Sequence, residues 1–161
     1  MASFTHVDPQ GGVHMVDVSD KTDTVRTAVA VGRVILGPET FAHVSENTIQ
    51  KGDVLAVSQF AGIMGAKETS RLIPLCHQVA LAGIDVELTL DESNHSVEVR
   101  AYTKSIGPTG VEMEALTAVS VSCLTIYDMC KSITKEMIIE DIHLLAKKGG
   151  QSGDYRKPEA E

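Results

Sequence analysis

Cysteine is scarce in this chain of 161 residues, with Cys76, Cys123 and Cys130 the whole complement. The number is odd, none stands at C-x-x-C spacing, and two lie in an apolar periodic segment. A disulfide framework and a zinc site are therefore not expected. Long apolar runs are also missing. No stretch approaches the ~20 residues that span a bilayer, and the opening "MASFTHVDPQGG" has neither a basic region nor an apolar h-region. No membrane partner and no export signal are expected, and the reduced cytoplasm is the expected compartment. Positive charge is in deficit, 14 Lys and Arg against 22 Asp and Glu, for a net charge of −8. Non-specific nucleic-acid binding needs a basic face to displace counterions, so no nucleic-acid partner is expected. Any anionic ligand must find local positive charge, which makes cations embedded in apolar sequence the informative ones.

What is present is ordinary for a globular protein: 43% hydrophobic and 22% charged residues. The length fits one domain, 1–161, with loosely ordered ends at about 1–20 and 148–161. "TVRTAVAVGRVIL" reads as a strand with Val25, Thr27, Val29 and Val31 on one parity and Arg26 on the other. "GPETFAHVSENTI" predicts a short helix started by its proline and ending near Asn47. Asp53 predicts an N-cap for a second helix, with apolar positions at 54, 57, 60, 61 and 64. A hairpin turning at Glu92–His95 follows. The longest helix comes next, introduced by Thr109-x-x-Glu112 in a capping-box pattern, and "EMIIEDIHLLAKK" is a final strand. Strand, helix, helix, strand, strand, helix, strand suggests an α+β fold, a ferredoxin-like two-layer sandwich. The long helix sets small residues opposite its Leu116, Val119, Cys123 and Tyr127 stripe. One sheet cannot cover both faces, so the second is expected to meet another helix or another subunit, the subunit being preferred for so short a chain.

From Ala115 to Tyr127 no side chain is charged, and then Asp128 and Lys131 arrive three positions apart. A helix-surface ion pair accounts for Lys131 but not for Asp128, whose carboxylate faces the negative end of the dipole. Flanking Ile126, Tyr127 and Met129 suggest partial desolvation, which suits proton transfer near neutral pH. Lys51, just before the Asp53 cap, is either a solvated loop lysine or part of an anion site at the helix start. His77, after Pro74 in "LIPLCHQV", fits hydrogen bonding or acid–base work better than metal binding. Adjacent Cys76 and His77 lack further ligands, the other histidines form no spaced cluster, and so no metal site is expected. Glu112 and Glu114 suit the first turn of the long helix. Glu114 and Asp128 share a face but stand roughly 21 Å apart along it, so one helix cannot bring both to one small molecule. "LAKKGGQSGDY" is either a flexible tail or a phosphate-embracing flap around Lys147, without Walker spacing. Arg26 adds a further cation that could face a polyanion.

Together, "HMVDVSDK", "KGDVLAVSQFAGI", "LIPLCH", "TGVEMEALTAVSVSCLTIYDMCK" and "LLAKKGGQSGDY" resemble the cyclic pyranopterin monophosphate synthases of molybdenum cofactor biosynthesis, over nearly the whole chain. The resemblance implies a ferredoxin-like fold and a hexamer, a trimer of dimers, with the active site at a dimer interface. It implies conversion of the cyclised GTP intermediate, 3′,8-cyclo-7,8-dihydro-GTP, to cyclic pyranopterin monophosphate with loss of diphosphate. Asp128 would be the principal catalytic residue, with Lys51 and Lys131 its partners in proton transfer and phosphate stabilisation. Leu75, Cys76, His77, Met113 and Glu114 would line the substrate site, supported by Arg26, Glu112 and Lys147. No cofactor is implied beyond a magnesium ion that the substrate phosphates could carry. The chain departs from the family pattern at Gln78, where proline usually follows the Cys-His pair, and at Gln151, where a second lysine is common. The competing reading from another class is a non-catalytic oligomeric sensor of a phosphorylated pterin or nucleotide.

Overall fold

The computed structural model describes residues 11–158. Strand β1 (Thr24–Ile35) leads through two helices, α1 (Pro38–Ser45) and α2 (Val54–Lys67), and a single turn, α3 (Thr69–Leu72). Strands β2 (Leu81–Asp91) and β3 (Ser96–Gly107) form the hairpin, followed by α4 (Glu112–Cys130), β4 (Ile138–Lys148) and a two-residue β5 (Tyr155–Arg156). All strand pairs are antiparallel, in the order β2-β3-β1-β4-β5. With α2 and α4 packed together on one face, this is the ferredoxin-like α+β sandwich with one short strand added at the edge. Pro38 sits in the first turn of α1, and Asp53 Oδ1 accepts from Ala56 N at 2.9 Å to cap α2.

The faces are less obvious than the elements. In β1 the inward residues are Arg26, Ala28, Ala30, Gly32 and Val34, whereas Val25, Val29 and Val31 lie on the open side. Small residues face the helices because α4 rests close to the sheet: a Cβ on Gly32 would stand 2.7 Å from Val119 Cγ1 and 2.9 Å from Ile142 Cγ1. The α2–α4 contact follows the same rule. Residues Val54, Ser58, Gly62, Gly65 and Ala66 are buried, and Ser122 Oγ donates to Ser58 O at 2.9 Å. A Cβ on Gly62 would strike Ser122 Oγ and come within 3.0 Å of the Ala118 carbonyl. The large residues at predicted apolar positions, Val57, Phe60 and Met64, are instead 44%, 67% and 43% exposed.

Of the two alternatives for the second face of α4, the structure takes the helix and not the preferred subunit: α2 of the same chain covers it, since glycines in α2 let the helices meet over Ala118 and Ser122. The capping box also fails. The helix begins at Glu112 itself, with Val111 in the N-cap position and no side-chain cap. Val111 is fully buried and Thr103 Oγ1 donates to its carbonyl at 2.9 Å, so the core fixes the helix start and leaves Thr109 outside it. By length and composition α4 would pass for a membrane span, yet it is the core helix, with Ala115, Val119, Cys123 and Ile126 completely enclosed.

Candidate functional site

At the C-terminal end of α4, Asp128 is gripped from both sides. Lys131 Nζ stands 2.6 Å from Oδ1 and Lys51 Nζ 3.0 Å from Oδ2, while Lys51 also donates to the Asp128 carbonyl at 2.7 Å. Lys51 comes from the α1–α2 loop, where Gly52 takes φ +109 and donates to Ile49 O, a core-anchored residue. The lysine thus places its charge at the negative end of the helix dipole and makes Asp128 tolerable there. The expected desolvation is not found: the Asp128 and Lys131 side chains are 58% and 51% exposed. Their charge states are set by each other instead. Hydrogen bonds from Lys131 and then Lys51 hold the Asp128 carboxyl below its ordinary range, and Asp128 holds the Lys131 ammonium above its own.

At the other end of α4 two adjoining cavities share Lys21, Thr109, Gly110 and Glu112. One, about 330 Å³, is lined by Leu75, Cys76, His77, Met113 and Glu114. His77 Nε2 donates to the Val16 carbonyl at 2.7 Å and so ties the segment before β1 across this cavity. Glu114 is 4% exposed, and burial pushes its carboxyl up. Burial does the same to the Cys76 thiol, with Glu114 adding to it. The other cavity, about 380 Å³, is lined by Arg26, Lys147, Gln151 and Ser152 besides the shared residues.

Arg26 is 8% exposed and, among the described residues, donates to carbonyls, from Nε to Gly107 O at 3.1 Å and from Nη2 to Pro108 O at 3.0 Å. No carboxylate among the described residues lies within ion-pair distance of it, so its charge is compensated by dipoles alone. Lys147 Nζ meets Glu112 Oε1 at 3.2 Å and donates to Ser152 Oγ at 2.6 Å. Residues 149–154 form the flap between β4 and β5, and Lys157 N donates to Leu145 O at 2.8 Å. Gly149 and Gly150 both take φ +90, and a Cβ on Gly150 would collide with Arg26 Nη1, so the flap lies directly over the arginine.

The structure therefore brings the proposed residues into two groups: Asp128, Lys51 and Lys131 at one end of α4, and Arg26, Leu75, Cys76, His77, Glu112, Met113, Glu114 and Lys147 at the other. It does not join the two groups within one chain. Sequence reasoning did not nominate Lys21, although it faces both cavities; a lone cation in the acidic run "DVSDKTD" was the available signal. Gln151 lines the second cavity, where a lysine would have added a cation. Cys123 and Cys130 lie in the core, their thiols pushed up by burial to about 12 and about 11, which makes them packing residues and not nucleophiles. Among the described residues no three His, Cys, Asp or Glu side chains cluster as metal ligands. A further hollow on the open sheet face is lined by Arg33 and Asp141, but Arg33 is already saturated by Glu140 and Asp141, each at 2.8 Å.

Fold and geometry together define a ferredoxin-like α+β protein with a cationic cavity at one end of its core helix and a lysine-clamped carboxylate at the other. The chain belongs to the MoaC family, whose family model matches residues 15–150. Curated relatives agree over almost the whole length. A cyclic pyranopterin monophosphate synthase of Salinibacter ruber is 60% identical over 96% of this chain and 91% of its own. One of Heliobacterium modesticaldum is 57% identical over 99% and 100%. The human molybdenum cofactor biosynthesis protein 1 is 52% identical over 96% of this chain, which matches 24% of that longer protein.

Proposed function

We propose that this chain is a cyclic pyranopterin monophosphate synthase, a lyase of molybdenum cofactor biosynthesis that converts 3′,8-cyclo-7,8-dihydro-GTP to the cyclic pyranopterin monophosphate and releases diphosphate. The observation that carries the reading is the Lys51–Asp128–Lys131 cluster, because a protein that only binds a phosphorylated pterin has no need of a lysine-flanked carboxylate. The relatives' names support it further.

Arg26, Lys147 and Lys21 hold the triphosphate beside the N-terminus of α4, raising positive potential locally in a protein of net charge −8. His77, Cys76, Met113 and Glu114 receive the ring system in the neighbouring cavity. Asp128 stays ionised and keeps Lys131 charged, and Lys131 and Lys51, both held on its carboxylate, hydrogen-bond and pass protons to oxygen and nitrogen atoms as the framework opens and recloses. A sugar hydroxyl then attacks the α-phosphorus and diphosphate leaves, its growing charge met by the cations around it. Any magnesium ion enters on the substrate phosphates.

Within one chain the two groups lie at opposite ends of a continuous helix, roughly 21 Å apart by its rise. The site is therefore assembled from two copies, one supplying Asp128, Lys51 and Lys131 and the other the cationic cavity. The exposed Val57, Phe60 and Met64 stripe on α2, and Val25 opposite Ile106 on the open sheet face, give two separate apolar surfaces for such contacts. Two different self-contacts suffice to close a hexamer from dimers. The three free cysteines support a reducing cytoplasmic setting.

Incubation with the cyclised GTP intermediate tests the function. Stoichiometric diphosphate and pterin are expected; tight binding without turnover would return the sensor reading.

A further inference from the structure

We propose that Glu112 is a displaceable stand-in for phosphate, competing with the ligand for Lys147 and so limiting how tightly the cavity retains diphosphate. This rests on the reading that the Arg26–Lys147 cavity takes the substrate's phosphates.

Glu112 is the single acid among the residues lining that cavity, which otherwise presents Arg26, Lys147, Lys21 and neutral groups. Its carboxylate is where an anion belongs, in the first turn of a helix of 19 residues that has no side-chain cap. The chain makes room for it: the carboxylate folds back over Gly110, occupying the space any Cβ there would need. Gly110 thus selects the conformation that aims Glu112 at Lys147. The contact itself is built to break. Glu112 Oε1 stands 3.2 Å from Nζ, longer than the 2.7–2.9 Å typical of charge-assisted hydrogen bonds. Both side chains retain solvent access, at 29% and 20%, so the freed carboxylate keeps a route to water.

Lys147 by contrast is held in place from the other side. Ser152 in the flap accepts its short hydrogen bond at 2.6 Å, so the ammonium stays in position when Glu112 withdraws. Arg26 is anchored by the Gly107 and Pro108 carbonyls, and Glu112 makes its ion pair with Lys147. An arriving phosphate therefore exchanges one anion for another on a fixed cation, without uncovering a bare charge. On departure of diphosphate the exchange runs in reverse, and Glu112 retakes Lys147. Glu112 serves here as a positioning residue that works through Lys147.

Calorimetric titration of the intact protein with inorganic pyrophosphate at fixed ionic strength tests this on the wild type, Glu112→Gln, Lys147→Ala and the double variant. Glu112→Gln should bind about three- to tenfold more tightly, the scale of a partly exposed charge pair. Lys147→Ala should bind more weakly, and adding Glu112→Gln to it should bring no comparable gain. Glu112→Asp, which keeps the charge but withdraws the carboxylate from Lys147, should also tighten binding, and it serves if the glutamine variant fails to fold. Tightening that survives in the Lys147→Ala background would reflect net charge alone and overturn the proposal. Unchanged or weaker binding by Glu112→Gln, with Lys147→Ala still impaired, would overturn it while leaving the phosphate reading standing. Absence of pyrophosphate binding in every variant would overturn both.

Discussion

Asp128 is exposed, and its charge is nevertheless decided by neighbours. Its depressed pKa means that the stability it adds is present above the ordinary 3.8 and is lost as pH falls through the lowered value. Asp128→Asn should therefore lower the melting temperature at neutral pH and have no effect in strong acid, as scanning calorimetry would record. Turnover should fall by about 10²–10⁴ in Asp128→Asn and in Lys131→Ala, the range for loss of an acid–base group, while sedimentation shows the assembly intact. Dissociation of those variants would make the pair interfacial glue. Glu114 has the opposite sign. Burial raises its carboxyl above the ordinary 4.5, so the folded protein binds the proton more readily and loses stability as pH climbs through the raised value. Glu114→Gln should melt higher than the wild type near neutrality and match it below pH 4.5; a lower melting temperature near neutrality would contradict the burial argument. The Asp128–Lys131 pair was legible from a three-residue spacing. That Lys51 joins it was implied only by the family resemblance and not by spacing, because the contact spans 77 positions and depends on a loop that only the fold carries to the end of α4.

At the scale of elements, periodicity, proline and turn residues marked every major strand and helix. They did not tell which face turns inward. Hydrophobic patterning assigns large apolar residues to the core, yet α2 buries Ser58, Gly62 and Gly65 and exposes Phe60, since close helix approach rewards the absence of a side chain more than its size. Gly62→Ala therefore sets two effects against each other. Helix propensity gains about 1 kcal/mol, while overpacking against Ser122 and Ala118 costs about 1–3 kcal/mol. Net destabilisation is expected in urea unfolding; a more stable variant would show that the helices can part. The caps give a paired comparison. Asp53→Ala should cost about 1 kcal/mol, whereas Thr109→Ala should cost almost nothing, as Thr109 caps no helix. A capping box can be matched by sequence alone, but the buried Val111 decides where α4 starts.

For the whole molecule, the sequence already held the argument for a shared site: two functional groups at the ends of one helix cannot meet. The fold retains that argument while removing its companion, the bare second face of α4, which α2 covers. What replaces it is the exposed Phe60 stripe and the Val25–Ile106 patch, whose apolar residues periodicity marks but whose exposure only the packed fold shows. If the stripe joins subunits as proposed, Phe60→Asp should dissociate the oligomer at least partly in sedimentation, with the monomer's circular dichroism unchanged. Complementation between two inactive variants reaches the centre of the account. Asp128→Asn and Lys147→Ala subunits, co-expressed under different tags and isolated as mixed oligomers, form pairs in which one composite site is wild type and the other carries both changes. Random pairing should then restore about a quarter of wild-type turnover of the cyclised GTP intermediate, from two proteins that have almost none alone. Mixed oligomers that form and remain inactive would contradict a site shared between two copies.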